Sequence, residues 1–173
     1  MTGGPRRIWL VGAAGSGKTT LGRALSAELG LPHHELDALF WQPGWRRAAA
    51  GQFRASVAAI TETDSWIIDG QYESAHPTLV AAADTVIWLD VSLVTSMPRI
   101  VRRSLGRLVR GTPLWNGNSE CLASAWDLLT WAIVSHRATR AVNRRLMADL
   151  SALGVRTVHA TSIGAVRALL PID

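Results

Sequence analysis

Short apolar runs alternate along this chain with longer segments of helical periodicity. The runs that predict buried strands lie at residues 8–11, 33–36, 66–68, 85–89 and 155–159. The second run has the weakest strand composition. Apolar residues at intervals of three and four predict helices between the strands, the longest at about residues 93–110 and 124–150. This alternation predicts an α/β fold in which a parallel sheet is covered by helices on both faces.

Size and composition predict a single cytoplasmic domain over residues 1–173. The chain has 173 residues, of which 48% are apolar, so one domain core can form. Its apolar runs are too short for a membrane-spanning helix, and the residues after Arg6 and Arg7 lack the long apolar region of a signal peptide. The single cysteine, Cys121, is typical of a protein from a reducing compartment.

The segment between the first strand and the first helix carries the most specific motif. It reads Gly12-Ala13-Ala14-Gly15-Ser16-Gly17-Lys18-Thr19, the P-loop pattern, followed by Thr20. In this pattern backbone N–H groups surround phosphate oxygens, and the helix adds its positive N-terminal end. We expect residues 12–20 to bind ATP, Lys18 to reach the β- and γ-phosphates and Thr19 to ligate Mg²⁺. Lys18 is the only lysine among 18 basic residues, which supports a specific role for its compact ammonium group.

Three aspartates follow predicted strands, where ligands of parallel sheets bind. Asp69 precedes Gly70 and is predicted to hold Mg²⁺ directly or through water, the alternative being an ordinary Asp-Gly turn. Asp37 follows the second strand, where a carboxylate can orient or deprotonate an acceptor hydroxyl, or only cap a turn. Asp90 is placed similarly, and for it the turn is the favoured interpretation.

Aromatic residues beside arginines follow the second strand: Phe40, Trp41 and Trp45 precede Arg46 and Arg47. The pattern suits stacking on a base and pairing with a phosphate. Core packing beside a solvated basic turn explains it equally well. The only tyrosine, Tyr72, could stack on an acceptor or could pack with its hydroxyl at the surface.

The positive charge is concentrated in one segment. The net charge is +5, yet residues 1–98 have seven basic and nine acidic residues, whereas residues 99–145 have nine arginines against two acids. These arginines recur on two predicted helices joined by a flexible Gly/Pro/Asn loop. We interpret residues 99–145 as a lid segment that closes on a polyphosphate, with Arg99, Arg103 and Arg140 as candidates to neutralise transition-state charge. A solvated basic face and a nucleic-acid surface are the alternatives.

Most of residues 6–160 resemble the bacterial P-loop proteins known as DNA topology modulation proteins, a family similar to adenylate kinase. Besides the P-loop and its helix, the resemblance is carried by residues 30–32, 36–41, 43–45, 66–72 and 83–90. It implies the three-layer P-loop NTPase fold with a five-stranded parallel sheet, an acceptor-binding segment at about residues 37–65, a helical arginine lid, and ATP with Mg²⁺ as phosphoryl donor. Gln71 and Tyr72 stand where adenylate kinases usually carry an arginine, and their Thr-Gly acceptor motif is missing.

The sequence therefore predicts a P-loop kinase that moves the γ-phosphate of ATP to a nucleotide or a small hydroxyl acceptor. Its predicted catalytic residues are Lys18, Asp37, Asp69, Arg99, Arg103 and Arg140, and its predicted metal ligands are Thr19 and Asp69. A nucleotide-dependent regulatory or nucleic-acid-binding protein is the main alternative, although the chain has no recognisable nucleic-acid-binding module. An ATPase without a phosphate acceptor is a weaker one. No membrane partner is expected.

Overall fold

A five-stranded parallel sheet forms the middle layer of the structure, a computed structural model that describes residues 4–170. In chain order the strands are β1 (Arg7–Gly12), β2 (His33–Glu35), β3 (Trp41–Gln42), β4 (Arg46–Arg47), β5 (Trp66–Asp69), β6 (Thr85–Leu89) and β7 (Arg156–Ala160). The sheet has the order β2-β5-β1-β6-β7, and β3 and β4 form a separate antiparallel hairpin. The predicted fold class, a parallel sheet flanked by helices, is confirmed.

Helices cover both faces of the sheet. They are α1 (Lys18–Leu29), α2 (Leu36–Phe40), α3 (Ala50–Thr61), α4 (His76–Ala82), α5 (Leu93–Arg110), α6 (Leu122–Ala152) and α7 (Ile163–Leu169). Alternate residues of β1 enter different cores: Ile8 packs with residues of α1 and α7, and Trp9 packs with residues of α3, α4 and α6. Strands buried on both faces read as continuous apolar runs, which is why the sequence pattern located them.

The parallel register brings the carboxyl ends of the strands to one edge of the sheet. Asp69 at the end of β5 lies beside Leu10 of β1 and beside Glu35, the last residue of β2. Gly12 at the end of β1 pairs with Leu89 of β6, one residue before Asp90. The P-loop and the predicted acidic residues therefore meet at this edge.

Two local features differ from the prediction. Strand β2 ends at Glu35 because Leu36, fully buried, already begins α2. The β3–β4 hairpin has only two residues in each strand, too few for periodicity to reveal. Among residues 4–170, no helix is both long enough and apolar enough to cross a membrane.

Candidate active site

The P-loop bends through three glycines with positive φ angles: 150° at Gly12, 71° at Gly15 and 102° at Gly17. Gly15 also lies against α5. A Cβ atom there would be 2.7 Å from Ile100 Cγ1 and 2.9 Å from the Ser96 carbonyl oxygen. The loop conformation and the close approach of α5 therefore both require glycine.

Lys18 is held against the P-loop by two backbone acceptors. Its Nζ donates to the carbonyl oxygens of Gly12, at 2.8 Å, and Ala13, at 3.0 Å. Burial lowers the pKa of Lys18, while the carboxylates of Asp69 and Asp37 raise it. The ammonium group is thus within electrostatic range of both predicted catalytic acids.

The loop also presents unsatisfied donors that fit a polyphosphate. The Ser16 hydroxyl is buried and has no hydrogen-bond partner within the described residues. Helix α1 begins at Lys18 after Gly17, so no side chain caps its first N–H groups. Such orphaned donors at a helix N-terminus are those that phosphate oxygens satisfy. Thr19 and Thr20 lie in this first turn.

Asp69 is buried and oriented by a histidine. His33 Nε2 lies 3.0 Å from Asp69 Oδ2, and a neutral His33 with its proton on Nε2 donates to it. Gly22 of α1 makes room for this ring, because a Cβ there would be 2.3 Å from His33 Nε2. The bond engages Oδ2 of the carboxylate.

The residues present fit Mg²⁺ better than a metal enclosed by protein ligands. Within residues 4–170, no group of three His, Cys, Asp or Glu side chains is arranged to hold a metal. Mg²⁺ commonly takes one or two protein oxygens together with waters and substrate phosphates. Thr19 and Asp69 would supply that number.

Asp37 lies in the first turn of α2 and accepts a 2.5 Å hydrogen bond from the Tyr72 hydroxyl. Burial raises the pKa of Asp37, and Asp69 and Glu35 add to the increase. The Tyr72 hydrogen bond and Lys18 oppose it, but the net shift is upward. Asp37 is therefore a carboxyl group that holds its proton more strongly than an ordinary aspartate.

Aromatic packing fixes the position of Tyr72. Its ring lies 4.3 Å from that of Phe40 and 5.3 Å from that of Phe53, measured between centroids, in the same core cluster. For Phe40, the interpretation as a packing residue is therefore correct. Tyr72 packs beside it, but its hydroxyl binds Asp37 and does not lie at the surface as the packing interpretation assumed. Arg46 and Arg47 are exposed on the hairpin.

The favoured interpretation of Asp90 as a turn residue is wrong. Its carboxylate accepts hydrogen bonds from Arg140 Nε at 2.6 Å and Nη2 at 2.8 Å, and lies 3.1 Å from His159 Nε2. Burial alone would raise the pKa of Asp90, but the hydrogen bonds from Arg140 and His159 outweigh it and lower the pKa. Arg140, predicted to contact phosphate, is thus engaged in an ion pair that ties α6 to the end of β6.

The other two candidate arginines lie beside the P-loop. Arg99 Nη1 donates to the Ser16 carbonyl oxygen at 3.5 Å. The positive charge of Arg103 helps to lower the pKa of Lys18. Helix α5 therefore presents Arg99 and Arg103 to the phosphate site.

The loop between α5 and α6 is docked on the acceptor-binding segment rather than free. Trp115 Nε1 donates to Glu35 Oε2 at 2.8 Å, and Asn116 Nδ2 donates to the carbonyl oxygens of Ala38, at 3.0 Å, and Trp41, at 2.6 Å. Asn118 adds a hydrogen bond to the carbonyl oxygen of Gln42. The sequence predicts a flexible loop here; instead its side chains bind the end of β2, α2 and the hairpin.

Sequence reasoning missed the residues that hold the site together. In the sequence, no metal-binding spacing singles out His33, and Gln71 stands out only as a departure from the arginine pattern. Gln71 Oε1 accepts from the Gly12 N–H at 3.1 Å, and Gln71 Nε2 donates to Asn143 Oδ1 at 2.6 Å. The strand order would have revealed His33, since it lies two residues before Glu35, the register partner of Asp69.

Comparisons with known proteins agree with this geometry. No protein-family model matches the chain. It is 28% identical over 153 residues to the protein named Uncharacterized protein YqaC of Bacillus subtilis (strain 168), covering 84% of each chain. It is 30% identical over 109 residues to a shikimate kinase of Gloeobacter violaceus, covering 54% of this chain and 60% of that one. A gluconokinase from Sinorhizobium meliloti 1021 superposes with a TM-score of 0.53 at 22% identity, covering 96% of this chain and 90% of that one.

The fold is that of the P-loop kinases. The narrower resemblances, to DNA topology modulation proteins and to adenylate kinase, remain predictions.

Proposed function

We propose that this protein is an ATP- and Mg²⁺-dependent phosphotransferase that moves the γ-phosphate of ATP to a nucleotide or a small hydroxyl acceptor. The observation that carries the proposal is the placement of Asp37. It is a half-buried carboxyl group, held by Tyr72, within electrostatic range of the P-loop lysine. A phosphate site and a candidate proton acceptor thus lie side by side.

The residues divide the work between donor and acceptor. The N–H groups of the P-loop and of the first turn of α1 bind the phosphates, and Lys18 neutralises their charge. Mg²⁺, when bound by Thr19 and Asp69, would offset the negative charge of the β- and γ-phosphates. Arg99 and Arg103 approach from α5 and stabilise charge on the transferring group. Catalysis rests mainly on positioning and electrostatics.

Asp37 orients the acceptor hydroxyl and takes its proton as the new O–P bond forms. Tyr72 fixes one oxygen of the carboxylate and leaves the other for the acceptor. This role requires the ionised carboxylate, although burial favours the protonated form. Transfer should therefore be limited at low pH by the protonation of Asp37.

A small hydroxyl acceptor is favoured over a nucleotide. The side chains beside Asp37 that come from the ends of β2 and β5 are acidic, Glu35 and Asp69, and Gln71 stands where an adenylate kinase usually carries an arginine. Arg23 binds Glu35 at 2.7 Å and offsets its charge, so the carboxylate of Asp69 and the missing arginine are what disfavour a second phosphate. The relative named shikimate kinase is by name a kinase of a small molecule rather than of a nucleotide, which supports this choice.

The test is a phosphotransfer screen with ATP and Mg²⁺ against small alcohols, hydroxy acids, nucleosides and nucleoside monophosphates. The wild-type protein should phosphorylate a member of one class, and Lys18→Ala should lower the rate about 100-fold or more. Arg167→Ala is the matched control. It removes the positive charge of a half-exposed side chain on α7, outside the proposed site. It should leave the rate unchanged.

Two outcomes would refute the assignment. One is full transfer by Lys18→Ala under conditions in which its thermal unfolding matches that of the wild type. The other is ATP hydrolysis by the wild type that no acceptor class stimulates, which would indicate an ATPase.

A further inference from the structure

A short chain of hydrogen bonds connects helix α6 to the P-loop through the interior. Asn143 of α6 is fully buried and accepts from Gln71 Nε2, and Gln71 Oε1 accepts from the N–H of Gly12. These three residues belong to α6, to the segment after β5 and to the end of β1. Neither Gln71 nor Asn143 has a part in the phosphotransfer described above.

The direction of this chain is fixed by its first member. A backbone N–H can only donate, so Gln71 must present its carbonyl oxygen to Gly12 and its NH₂ group to Asn143. Asn143 must then present Oδ1, which turns its own NH₂ group away. Asn143 Nδ2 is indeed buried without a hydrogen-bond partner within the described residues. A buried donor without a partner lowers the stability of the folded state. The contact to Gln71 is therefore retained at the expense of stability.

Gly12 connects Gln71 to Lys18. While its N–H is bound by Gln71, its carbonyl oxygen accepts from Lys18 Nζ at 2.8 Å. The backbone of Gly12 lies close to that of β6, since a Cβ atom there would be 2.6 Å from the Leu89 carbonyl oxygen. Rotation of the Gly12 backbone would displace the Lys18 ammonium.

Helix α6 is anchored to the sheet edge at two points one turn apart. Arg140 binds Asp90 at the end of β6, and Asn143, three residues later, binds Gln71 beyond the end of β5. Residues at this spacing lie on one face of a helix. The middle of α6 is thus attached to both strands that flank β1.

We propose that Gln71 and Asn143 are positioning residues of the phosphate site, which hold the Gly12 peptide, and through it Lys18, in a fixed relation to helix α6. The consequence for catalysis rests on the proposed function; the mechanical link does not. In this proposal, Gln71 stands where adenylate kinases usually carry an arginine, but it positions the P-loop instead of binding the acceptor.

The link is tested first without any substrate, by hydrogen exchange of the backbone amides of residues 12–18. Gln71→Leu removes the acceptor of the Gly12 N–H and should speed its exchange about tenfold. Asn143→Leu leaves that acceptor in place but frees Gln71, and should also speed exchange at Gly12, by about fivefold. The double variant should resemble Gln71→Leu alone, because the two residues act in series.

Gln71→Glu is the conservative variant. One carboxylate oxygen can accept from Gly12, and the other can accept from Asn143 after its amide turns over, which would also satisfy the orphaned Nδ2. Exchange at Gly12 should remain within about twofold of the wild type. Asn118→Leu, a buried asparagine of the docked loop, is the matched control and should leave exchange at Gly12 unchanged.

The second readout is phosphotransfer. Gln71→Leu and Asn143→Leu should each lower kcat about tenfold and leave the KM of the acceptor unchanged, and Gln71→Glu should restore kcat. Unchanged exchange at Gly12 in both leucine variants overturns the inference whether or not the protein is a kinase. Faster exchange without any phosphotransfer by the wild type would instead refute the proposed function and leave the mechanical link standing. If Asn143→Leu does not fold, Gln71→Leu and Gln71→Glu decide the matter, because Gln71 is only partly buried.

Discussion

At Asp37, stability and the proposed function favour different protonation states. Burial, together with the nearby carboxylates Asp69 and Glu35, raises its pKa in the folded protein. A carboxyl group whose pKa is higher in the folded state contributes stability only at low pH, and that contribution is lost as the pH rises through the raised pKa. The ionised carboxylate that the proposed catalysis requires is therefore less favourable in the folded protein than in the unfolded chain.

Replacing Asp37 by asparagine should raise stability and abolish activity. The amide can still accept the Tyr72 hydrogen bond but carries no buried charge. The melting temperature of Asp37→Asn should exceed that of the wild type at pH 7, and the two should converge as the pH is lowered. Phosphotransfer should fall about 10²–10⁴-fold, the typical contribution of a general base.

Asp64→Asn is the control for this prediction, because Asp64 is exposed in the turn before β5. It should alter neither the melting temperature nor the rate. The wild-type rate should also show an acidic limb above the usual range for an aspartate. A stability difference that is independent of pH between Asp37→Asn and the wild type would contradict this account.

At the scale of elements, the contact between α5 and the P-loop leaves no room for a side chain on the loop. Gly15 has a φ of 71° and would bring a Cβ to 2.7 Å from Ile100 Cγ1, whereas Gly106, in the interior of α5, has open space around its Cβ position. Alanine should therefore have opposite effects at the two sites. Gly15→Ala should destabilise by about 1–3 kcal/mol, and Gly106→Ala should stabilise by about 0.5–1 kcal/mol.

Urea denaturation of the two variants checks this pair. Gly15→Ala should also weaken ATP binding, because the loop must move away from Ile100, while Gly106→Ala should bind ATP like the wild type. If both variants have the same stability, α5 does not press on the P-loop as the structure describes.

The regular elements could be predicted where local signals agreed. Helix α5 and strand β6 have the predicted bounds, because Ser92 caps the first turn of α5, Gly111 ends it in a left-handed conformation and β6 is buried along its whole length. The predicted strand β2 is one residue too long. An apolar residue such as Leu36 fits the pattern of a buried strand as well as that of a helix. Leu36 begins α2 and is buried in the core cluster that contains Phe53 and Trp66, and a local pattern does not contain such contacts.

At the scale of the whole molecule, the position of the site could be predicted but its internal contacts could not. Gly12, Asp37 and Asp69 could be predicted as site residues because they follow predicted strands. The carboxyl ends of parallel strands lie at one edge of the sheet, where ligands bind. The partners of the site come from distant parts of the chain, such as Arg140 for Asp90 and Asn143 for Gln71. These pairings depend on the strand order and on the path of α6, which neither periodicity nor composition specifies.

At the same scale, the structure shows where the arginines of residues 99–145 lie and which of them form ion pairs. Arg99 and Arg103 lie beside the P-loop, and Arg107 and Arg140 pair with Glu120 and Asp90. The loop that joins the two arginine-bearing helices is bound to α2 and to the hairpin. Residues 99–145, the predicted lid segment, are therefore connected directly to residues 37–65, the predicted acceptor-binding segment.

This connection predicts that a side chain in the lid loop controls binding of the acceptor. Asn116 has a φ of 56°, which glycine adopts without strain, and its Nδ2 bridges the carbonyl oxygens of Ala38 and Trp41. Asn116→Gly should keep the backbone conformation and lose both hydrogen bonds. The KM of the acceptor should rise about five- to tenfold while the KM of ATP stays the same.

Thr112→Gly adds the same flexibility to the same loop at an exposed residue that does not bond to the acceptor-binding segment, and it should leave both KM values unchanged. An equal effect of the two glycine variants would mean that loop stiffness, rather than docking, determines the result. A rise in the KM of ATP with Asn116→Gly would place this loop on the donor side of the site. Either result would refute a direct role for the docked loop in acceptor binding, because the hydrogen bonds of Asn116 reach only the segment that includes α2 and β3.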